Sequence, residues 1–348
     1  MITGAQPPAR PSLPWRAASM AIAGVTGALC RGFVYGLNNV EVTGLNNLLN
    51  ILDRRRTQGA DRGLLTVSNH VMVLDDPIMW GILPMKYFFD MENLRYGLGA
   101  HDICYKNKFT STFFSMGQVL PTHRNWHSPH GGLYQPTMTQ AIKLLSKAPA
   151  DMSKEDLHYT TNGQDRQWAP AAYSANRNAW VHIFPEACCH QSPGETTTLR
   201  YFKWGVARLI LESDPAPEFL PMFINGTKGI MSEDRGFPRF LPRIGNKLQV
   251  TFGEASDVDE VFGEQRKAWK KLVQDAGADE DKLRYGEDAK NLRIEVAKMV
   301  RDEISKLRVK SGLPEDEDES AALAETWAKE PNKRRFQSPV DGSLVNRQ

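Results

Sequence analysis

Short apolar runs separated by polar segments recur along the first two thirds of the chain. Four of them have the length and composition of buried strands, at Leu64–Val67, Trp180–Phe184, Phe219–Ile224 and Leu248–Gly253. Between them, apolar positions follow helical spacing, as at Gln135–Leu145. Strands that alternate with helices predict an α/β fold class, with a mixed, mostly parallel sheet flanked by helices on both sides.

Further segments have element signals of their own. Tyr87–Phe89 is predicted to be a short strand, and Gly117–Pro121 a strand that leads to Arg124. Phe109–Met116 and Leu199–Leu211 are predicted to be helices, the second amphipathic and basic. A stripe of this kind is typical of a helix that faces a core, although its Trp and basic residues also suit a membrane interface.

An uncharged segment rich in Ala and Gly, residues 17–30, lies between Arg16 and Arg31. No run of eighteen apolar residues occurs, so the sequence predicts no complete membrane span. Two alternatives stay open. The segment either lies in the plane of a membrane interface, with its arginines toward lipid headgroups, or packs as a small-residue helix against the body of the protein. Residues 17–36 are therefore a candidate membrane-interface segment.

A chain of 348 residues has the length of about two domains, but segments without periodicity account for much of the excess. Residues 148–178 are polar and predict an inserted loop, and residues 311–348 are highly charged and predict a disordered tail. Residues 1–13 contain prolines and predict a disordered N-terminus. We therefore expect one domain over residues 14–310.

Composition narrows the class of protein. With 41% hydrophobic residues, 24% charged residues and a formal net charge of +2, the chain has an ordinary globular composition, and nothing in it points to nucleic acid. The four cysteines are Cys30, Cys104, Cys188 and Cys189, and no two of them have Cys-x-x-Cys spacing. We therefore expect reduced thiols and no metal site.

Candidate chemistry begins where the first strand ends. His70 follows that strand, and Asp76 followed by Pro77 predicts a helix start with Asp76 as the N-cap. On a turning loop, Asp75 can reach the His70 ring. A neutral imidazole can take a proton from an alcohol, and a carboxylate on its other nitrogen stabilises the imidazolium that forms. The alternative is that both aspartates serve the helix start and that His70 is a hydrogen-bonded loop histidine.

Two more polar residues follow predicted strands. Arg124 could bind a phosphate through its planar guanidinium, or it could be a surface arginine. Glu186 lies at the carboxyl end of a strand, where α/β sheets usually bind ligands, whereas His182 inside the same strand is predicted to be a packing residue. A covalent route through Cys188 or Cys189, close to Glu186, stays open.

The order of these blocks resembles the glycerol-phosphate acyltransferase superfamily and, within it, the tafazzin family in its fungal forms. The resemblance covers roughly residues 15–310 apart from the predicted insertion. The stretches that carry it are Ser68-Asn69-His70 with Asp75-Asp76-Pro77, Asp102-Ile103-Cys104 with Phe113-Phe114-Ser115-Met116-Gly117, Arg124, Trp180 to Glu186, Leu199 to Gly205, and Leu220-Pro221.

The resemblance implies an enzyme that moves an acyl chain from a phospholipid to a lysophospholipid without coenzyme A. It implies cardiolipin and monolysocardiolipin as substrates, no cofactor, and a peripheral position on the mitochondrial inner or outer membrane, facing the intermembrane space. It implies that His70 is the general base and that Asp75 supports it. The residues that it implies for substrate binding are Asn69, Arg124, Phe184, Pro185 and Glu186.

Two rival functions share these features. A lysophospholipid acyltransferase that uses acyl-coenzyme A would carry the same blocks, and a membrane-binding scaffold would keep the fold without the chemistry. The sequence leaves the oligomeric state open.

One position departs from the superfamily pattern. The third block usually ends in Phe-Pro-Glu-Gly, and here Ala187 stands in place of the glycine. If the backbone there needs a positive φ, an alanine is strained by about 1–2 kcal/mol. This departure bears on where Glu186 lies.

Overall fold

A computed structural model gives the fold of the chain. The residues that it describes are 12–91, 93–124, 128–147, 158–159, 167–168, 178–192, 196–233, 235–315, 319–328, 334–337 and 344–346. The described strands are, in chain order, β1 Asn39–Thr43, β2 Leu64–Ser68, β3 Gly97–Ala100, β4 Val119–Thr122, β5 His158–Tyr159, β6 Gln167–Trp168, β7 Trp180–Ile183, β8 Glu218–Asn225, β9 Lys247–Phe252, β10 Ser256–Asp257, β11 Arg334–Gln337 and β12 Leu344–Asn346.

The central sheet has the strand order β1-β9-β8-β2-β7, with β10 also paired to β8. β2 runs parallel to both β7 and β8, and β1 runs parallel to β9, whereas β8 is antiparallel to β9 and β10. β3 and β4 form a separate parallel pair. Because β2 and β7 are parallel neighbours, the loops that follow them leave from the same edge of the sheet.

Helices pack on both faces of this sheet. The described α-helices are, in chain order, α1 Leu13–Leu37, α2 Leu45–Gln58, α3 Asp75–Trp80, α4 His101–Cys104, α5 Lys108–Met116, α6 Pro136–Leu145, α7 Gly205–Glu212, α8 Val258–Val261, α9 Gly263–Ala276, α10 Glu280–Tyr285, α11 Glu287–Lys310 and α12 Ala324–Ala328.

Two apolar clusters, one on each face of the sheet, explain why most positions of the central strands are apolar. On one face Leu65 and Val181 pack with residues of α6, α7, α9 and α11. On the other face Leu64 and Trp180 pack with residues of α1, α2 and α3. Successive side chains of a strand point to opposite faces, so a sheet covered on both sides favours apolar residues on both faces of each strand. The predicted α/β fold with a mixed, mostly parallel sheet is confirmed.

Helix α1 extends the uncharged segment to 25 residues, and its small residues pack as the second of the two alternatives expects. Its Gly24 and Gly27 lie against the rings of Phe89 and Phe88, where a Cβ atom on either glycine would come within about 2.6 Å of the ring. By length and composition α1 could cross a membrane, a test that core helices and N-terminal signals also pass. The helix is thus longer than the uncharged segment from which no complete span was predicted.

Arg31, expected to face lipid headgroups, instead donates from Nη1 to the carbonyl oxygens of Ile82 and Leu83 at 3.1 and 3.0 Å. This guanidinium ties α1 to the segment just beyond α3. The small-residue face of α1 thus packs on the body of the protein, while Val25 and Leu29 on the helix are 60% and 69% exposed.

Three element predictions were wrong in detail. Tyr87–Phe89 is part of a 3-10 helix, Met85–Phe89, whose Tyr87 and Phe88 are buried. α3 begins at Asp75 with Leu74 as its N-cap, so Asp76 does not cap it. The helix predicted from Leu199 begins only at Gly205.

The late start of α7 has a physical cause. Arg301 of α11 donates from Nε to the carbonyl oxygen of Arg200 at 2.9 Å and from Nη2 to that of Leu199 at 3.0 Å. Glu186 Oε2 accepts from the Arg200 backbone N–H at 3.4 Å. Arg301 takes the two carbonyl groups that a helix from Leu199 would use, so the segment before Gly205 is not helical. Because Phe202 and Val206 are buried, the apolar stripe faces the core.

The predicted boundary segments lie mostly outside the described residues. Of the N-terminus predicted to be disordered, residues 1–11 lie outside, and α1 begins at Leu13. The predicted insertion 148–178 is described only at Asn178 and at β5 and β6, which pair antiparallel. In the tail predicted to be disordered, α12 and the β11–β12 pair form, so its described part is not without regular structure.

Candidate active site

His70 lies on the loop between β2 and α3, and its Nδ1 is 3.1 Å from Asp75 Oδ2. The same carboxylate oxygen accepts from the backbone N–H groups of Val71 and Met72 at 2.5 and 2.8 Å. The Asp75 side chain has no solvent exposure, whereas that of His70 is 18% exposed. The amides fix the carboxylate, and the carboxylate in turn fixes the ring orientation and the Nδ1–H tautomer of the imidazole.

The other side of the His70 ring faces two residues of the loop after β7. Phe184 stacks on the imidazole with a centroid distance of 4.3 Å and an interplanar angle of 25°. Cys189 Sγ lies 3.5 Å from His70 Nε2. Sequence reasoning left the cysteine route open without choosing between Cys188 and Cys189, and only the parallel pairing of β2 with β7 brings Cys189 to the ring.

The surroundings of His70 favour its charged form. Burial by itself lowers the pKa of His70, but Cys189 and Asp75 outweigh burial and raise that pKa well above its ordinary value of 6.5. Burial raises the pKa of the Cys189 thiol, and the nearby imidazole opposes this effect. The imidazole of His70 therefore holds a proton more readily than an ordinary histidine does.

Glu186 is 2% exposed and holds the two loops together. Its Oε1 accepts from the His70 backbone N–H at 3.0 Å. Burial raises the pKa of Glu186 to about 7, although the amides and positive charges of His70 and Arg200 oppose this shift. Ala187, which follows Glu186, has a φ of +55°. The backbone there is therefore in the left-handed region, where the superfamily usually has glycine and where an alanine is strained.

Asn69 and Pro185, both predicted to bind substrate, make structural contacts. Asn69 Nδ2 donates to the carbonyl oxygen of Ile224 at 2.9 Å, and its Oδ1 accepts from the Ile224 N–H at 2.8 Å. The Pro185 carbonyl oxygen accepts from the Lys203 N–H at 2.8 Å. With both ends of its amide bonded and 1% exposure, Asn69 anchors the His70 loop to β8 and does not offer its side chain to a lipid.

Arg124, predicted to bind phosphate, is paired with Asp102. Its Nε donates to Asp102 Oδ1 at 3.0 Å, and its Nη2 donates to Asp102 Oδ2. The fork is therefore occupied by a carboxylate of the chain itself. A lipid phosphate would have to displace Asp102, and the structure does not bring Arg124 into the cluster formed by His70 and Asp75.

His182, predicted to be a packing residue, is buried inside β7 at 1% exposure. Its Nδ1 is 2.9 Å from Thr66 Oγ1, and its Nε2 is 3.3 Å from Ser68 Oγ. Across the described part of the chain, no group of three or more His, Cys, Asp or Glu side chains is arranged to hold a metal ion. The arrangement at His70 is instead suited to moving a proton at an ester or a hydroxyl group.

Comparison with known proteins places this site in a family. A family model described as "Acyltransferase" matches residues 39–225, which include both loops of the site. A protein named "Tafazzin" from Saccharomyces cerevisiae is 35% identical over 84% of this chain and 78% of its own length. A protein named "Taffazin" from Dictyostelium discoideum is 31% identical over 68% of this chain and 69% of its own.

A third relative has a different name. The "N-acylphosphatidylethanolamine synthase" of Arabidopsis thaliana is 30% identical over 64% of this chain and 64% of its own length. The yeast and Dictyostelium relatives are matched over more of both chains. The chain therefore belongs to the tafazzin family of the glycerolipid acyltransferase superfamily, and it is a phospholipid acyltransferase.

Proposed function

We propose that this enzyme moves an acyl chain from one phospholipid to a lysophospholipid without coenzyme A, and that it remodels the acyl chains of cardiolipin with monolysocardiolipin as acceptor. The observation that carries the proposal is the His70–Asp75 pair, with a contact of 3.1 Å. Such a pair can take a proton from one glycerol hydroxyl and give it to another. Acyl exchange between two glycerol esters uses both directions of this proton transfer.

In the proposed mechanism, His70 Nε2 takes the proton of the acceptor hydroxyl as its oxygen attacks the acyl carbonyl. Asp75 stabilises the imidazolium through Nδ1. His70 then returns the proton to the departing group. Glu186 holds the loop through the His70 N–H, and Phe184 keeps the plane of the ring. Arg124 has no part in these steps because Asp102 occupies its fork.

A lipid substrate needs a surface that meets the membrane, and we propose that two adjoining segments provide it. Leu29 of α1 is 69% exposed, and in a loop before β9 the side chains of Phe237 and Phe240 are 93% and 70% exposed. The Gly245 N–H of that loop donates to the Leu37 carbonyl oxygen at 2.8 Å, which joins the loop to the end of α1. Exposed aromatic and aliphatic side chains of this kind suit the interface of a bilayer.

Its cellular place, peripheral on a mitochondrial membrane facing the intermembrane space, is proposed from the family alone. Fractionation of mitochondria, with carbonate extraction and protease protection, tests this point. Recovery in another compartment would contradict it.

The experiment that tests the reaction compares acyl donors. Purified protein is given vesicles of a lysophospholipid with either an isotope-labelled phospholipid or labelled acyl-coenzyme A, and each product is identified by mass. We expect label in the acceptor with the phospholipid donor and no coenzyme A. Transfer only from acyl-coenzyme A would support the rival acyltransferase. Absence of transfer from both donors, with intact vesicle binding, would favour a non-catalytic scaffold.

The Arabidopsis relative adds one readout. Its name specifies an N-acyl product, so vesicles with phosphatidylethanolamine must be checked for acylated amine as well as for ester. We expect an ester product that mild alkali cleaves. An alkali-stable amide would move the proposal from hydroxyl to amine acceptors.

A further inference from the structure

Cys189 lies beside His70, the proposed general base, but has no role in the proposed mechanism. Its Sγ is 3.5 Å from His70 Nε2, and Asp75 Oδ2 is 3.1 Å from Nδ1 of the same ring. The three side chains therefore follow the order of nucleophile, base and orienting carboxylate. This is the arrangement that activates a thiol or hydroxyl for covalent acyl transfer in unrelated folds.

Backbone and side-chain bonds hold this geometry. The His190 N–H donates to the His70 carbonyl oxygen at 2.8 Å, and the His70 N–H donates to Glu186 Oε1 at 3.0 Å. Gln191 Nε2 adds a longer bond to the Val71 carbonyl oxygen at 3.3 Å. The loop after β7 is thus fastened to the loop after β2 on both sides of Cys189, and the left-handed turn at Ala187 starts the segment that carries the thiol.

The proposed reaction has a step that the Cys189 thiol could serve, namely holding the acyl chain between donor and acceptor. Acyl-coenzyme A delivers an acyl chain as a thioester, and a transacylase that works without coenzyme A has no such carrier in solution. A thiol fixed beside the base can serve as that carrier within the protein. Burial raises the pKa of Cys189, so the thiol needs His70 to take its proton as it attacks.

We propose that Cys189 carries the acyl chain as a thioester between the donor and the acceptor. This inference rests on the proposed function and makes it a two-step reaction. The donor lysophospholipid can then leave before the acceptor binds, so a single lipid site serves both substrates in turn.

The two steps balance in atoms and charge. In the first, Sγ–H gives its proton to His70 Nε2 and the sulfur bonds to the acyl carbonyl carbon. The carbon–oxygen bond of the donor ester breaks, and the leaving glycerol oxygen takes the proton from His70. In the second, the acceptor hydroxyl gives its proton to His70 and its oxygen bonds to the carbonyl carbon. The carbon–sulfur bond breaks, and the thiolate recovers the proton.

The test looks for the adduct directly. Full-length protein is incubated with vesicles of labelled phospholipid, without acceptor, and with albumin to remove the lysophospholipid, because a thioester is less stable than the ester from which it forms. After an acid quench, intact mass and peptide mapping locate the label. We expect one acyl group on Cys189, released by neutral hydroxylamine and absent from Cys189→Ala and from His70→Ala. The matched control Cys188→Ala should still form it.

Steady-state kinetics supply the second arm. When donor and acceptor concentrations are both varied, a covalent carrier predicts ping-pong kinetics, with parallel double-reciprocal lines. We expect Cys189→Ala to lose transfer at least about 10³-fold, and Cys188→Ala to stay within threefold of wild type. Cys189→Ser keeps the shape of the side chain, so a folding defect in the alanine variant would not obscure the result. We expect it to accumulate a hydroxylamine-stable oxygen ester or to lose transfer.

The outcomes separate the two proposals. Wild-type transfer with no adduct and with intersecting lines, or wild-type rates in Cys189→Ala, overturns the carrier and leaves the His70-dependent transacylase standing. Absence of coenzyme A-independent transfer by the wild type overturns both.

Discussion

His70 and His182 both contact the ring of Phe184, at centroid distances of 4.3 and 4.5 Å. His70 lies on a loop at the carboxyl end of β2, with a buried carboxylate on one nitrogen and a thiol on the other. His182 lies inside β7, with a hydroxyl group at each nitrogen. The two histidines thus share a neighbour but differ in charge partners and in access to solvent.

This difference shifts the pKa values of the two histidines in opposite directions, although both rings contact the same phenylalanine. Burial lowers the pKa of His182 well below its ordinary value, and the charges of Arg95 and His70 add to that effect. For His70 burial acts in the same direction, but Cys189 and Asp75 reverse it and raise the pKa. Burial alone therefore lowers the pKa of a histidine, and Cys189 together with Asp75 is what reverses that direction at His70.

The largest effect expected is on replacing His70. His70→Ala should lower transfer by about 10²–10⁴-fold, the usual contribution of a general base, with little change in melting temperature. The matched change His182→Gln removes bonds to buried hydroxyl groups and should lower stability by about 1–3 kcal/mol. Its activity per folded molecule should stay within tenfold of wild type. Equal loss of activity in both variants would break the comparison.

Asp75→Asn should cause the next largest loss of acyl transfer, because an amide does not stabilise the imidazolium of His70 and favours the wrong tautomer. We expect a loss of about 10³-fold. In the wild type, transfer should rise with pH through a pKa above 6.5, since the neutral imidazole is the base and its pKa is raised. In the variant the residual rate should rise at lower pH. An unchanged pH profile would show that Asp75 does not set the pKa of His70.

A smaller effect is expected from Glu186, the residue that bonds to the His70 backbone, and it concerns how the stability of the fold depends on pH. Because burial raises its pKa from 4.5 to about 7, the folded protein binds a proton that the unfolded chain has released. The stability that protonated Glu186 contributes is fully present below about pH 4.5 and is lost as the pH rises to about 7. This loss lowers the free energy of unfolding by up to about 3 kcal/mol. Glu186→Gln should flatten that fall in urea unfolding measured from pH 5 to 8. The same slope in both proteins would contradict the shift.

The smallest effect expected is at Ala187. Ala187→Gly should relieve the strain at a φ of +55° and raise the free energy of unfolding by about 1 kcal/mol or less, since greater freedom of the unfolded chain offsets part of the gain. Ala268→Gly, on an exposed position of α9, is the matched control and should lower it by about 1 kcal/mol. Destabilisation by both changes would mean that the turn is not strained.

Part of this account could be predicted from the sequence because it is local. A sheet covered on both faces leaves uninterrupted apolar runs, so the strands containing Leu64 and Trp180 could be recognised without any partner. The pairing of His70 with Asp75 spans five residues and needs only a turn between a strand and a helix. A positive φ at Ala187 could be suspected from the sequence, because the third block of the superfamily usually has glycine at that position.

The rest depends on contacts between distant parts of the chain. Cys189 meets His70 across 119 residues, and Asn69 bonds to Ile224 across 155, which gives Asn69 a structural role that its position beside His70 does not indicate. Arg301 holds the backbone before Gly205 from 101 residues away and delays a helix that local spacing predicts. The pairing of β2 with β7 and β8 decides the first two of these contacts, and the packing of α11 decides the third. No periodicity within a segment specifies them.

The most direct test of the central claim places the two histidines in one assay. Vesicles carry a phospholipid labelled in its acyl chain and an unlabelled lysophospholipid, with no coenzyme A, and label in the acceptor is followed for wild type, His70→Ala and His182→Gln at equal amounts of folded protein. We predict transfer by wild type and His182→Gln and almost none by His70→Ala. Transfer by His70→Ala at the wild-type rate would contradict the assignment of His70 as the base.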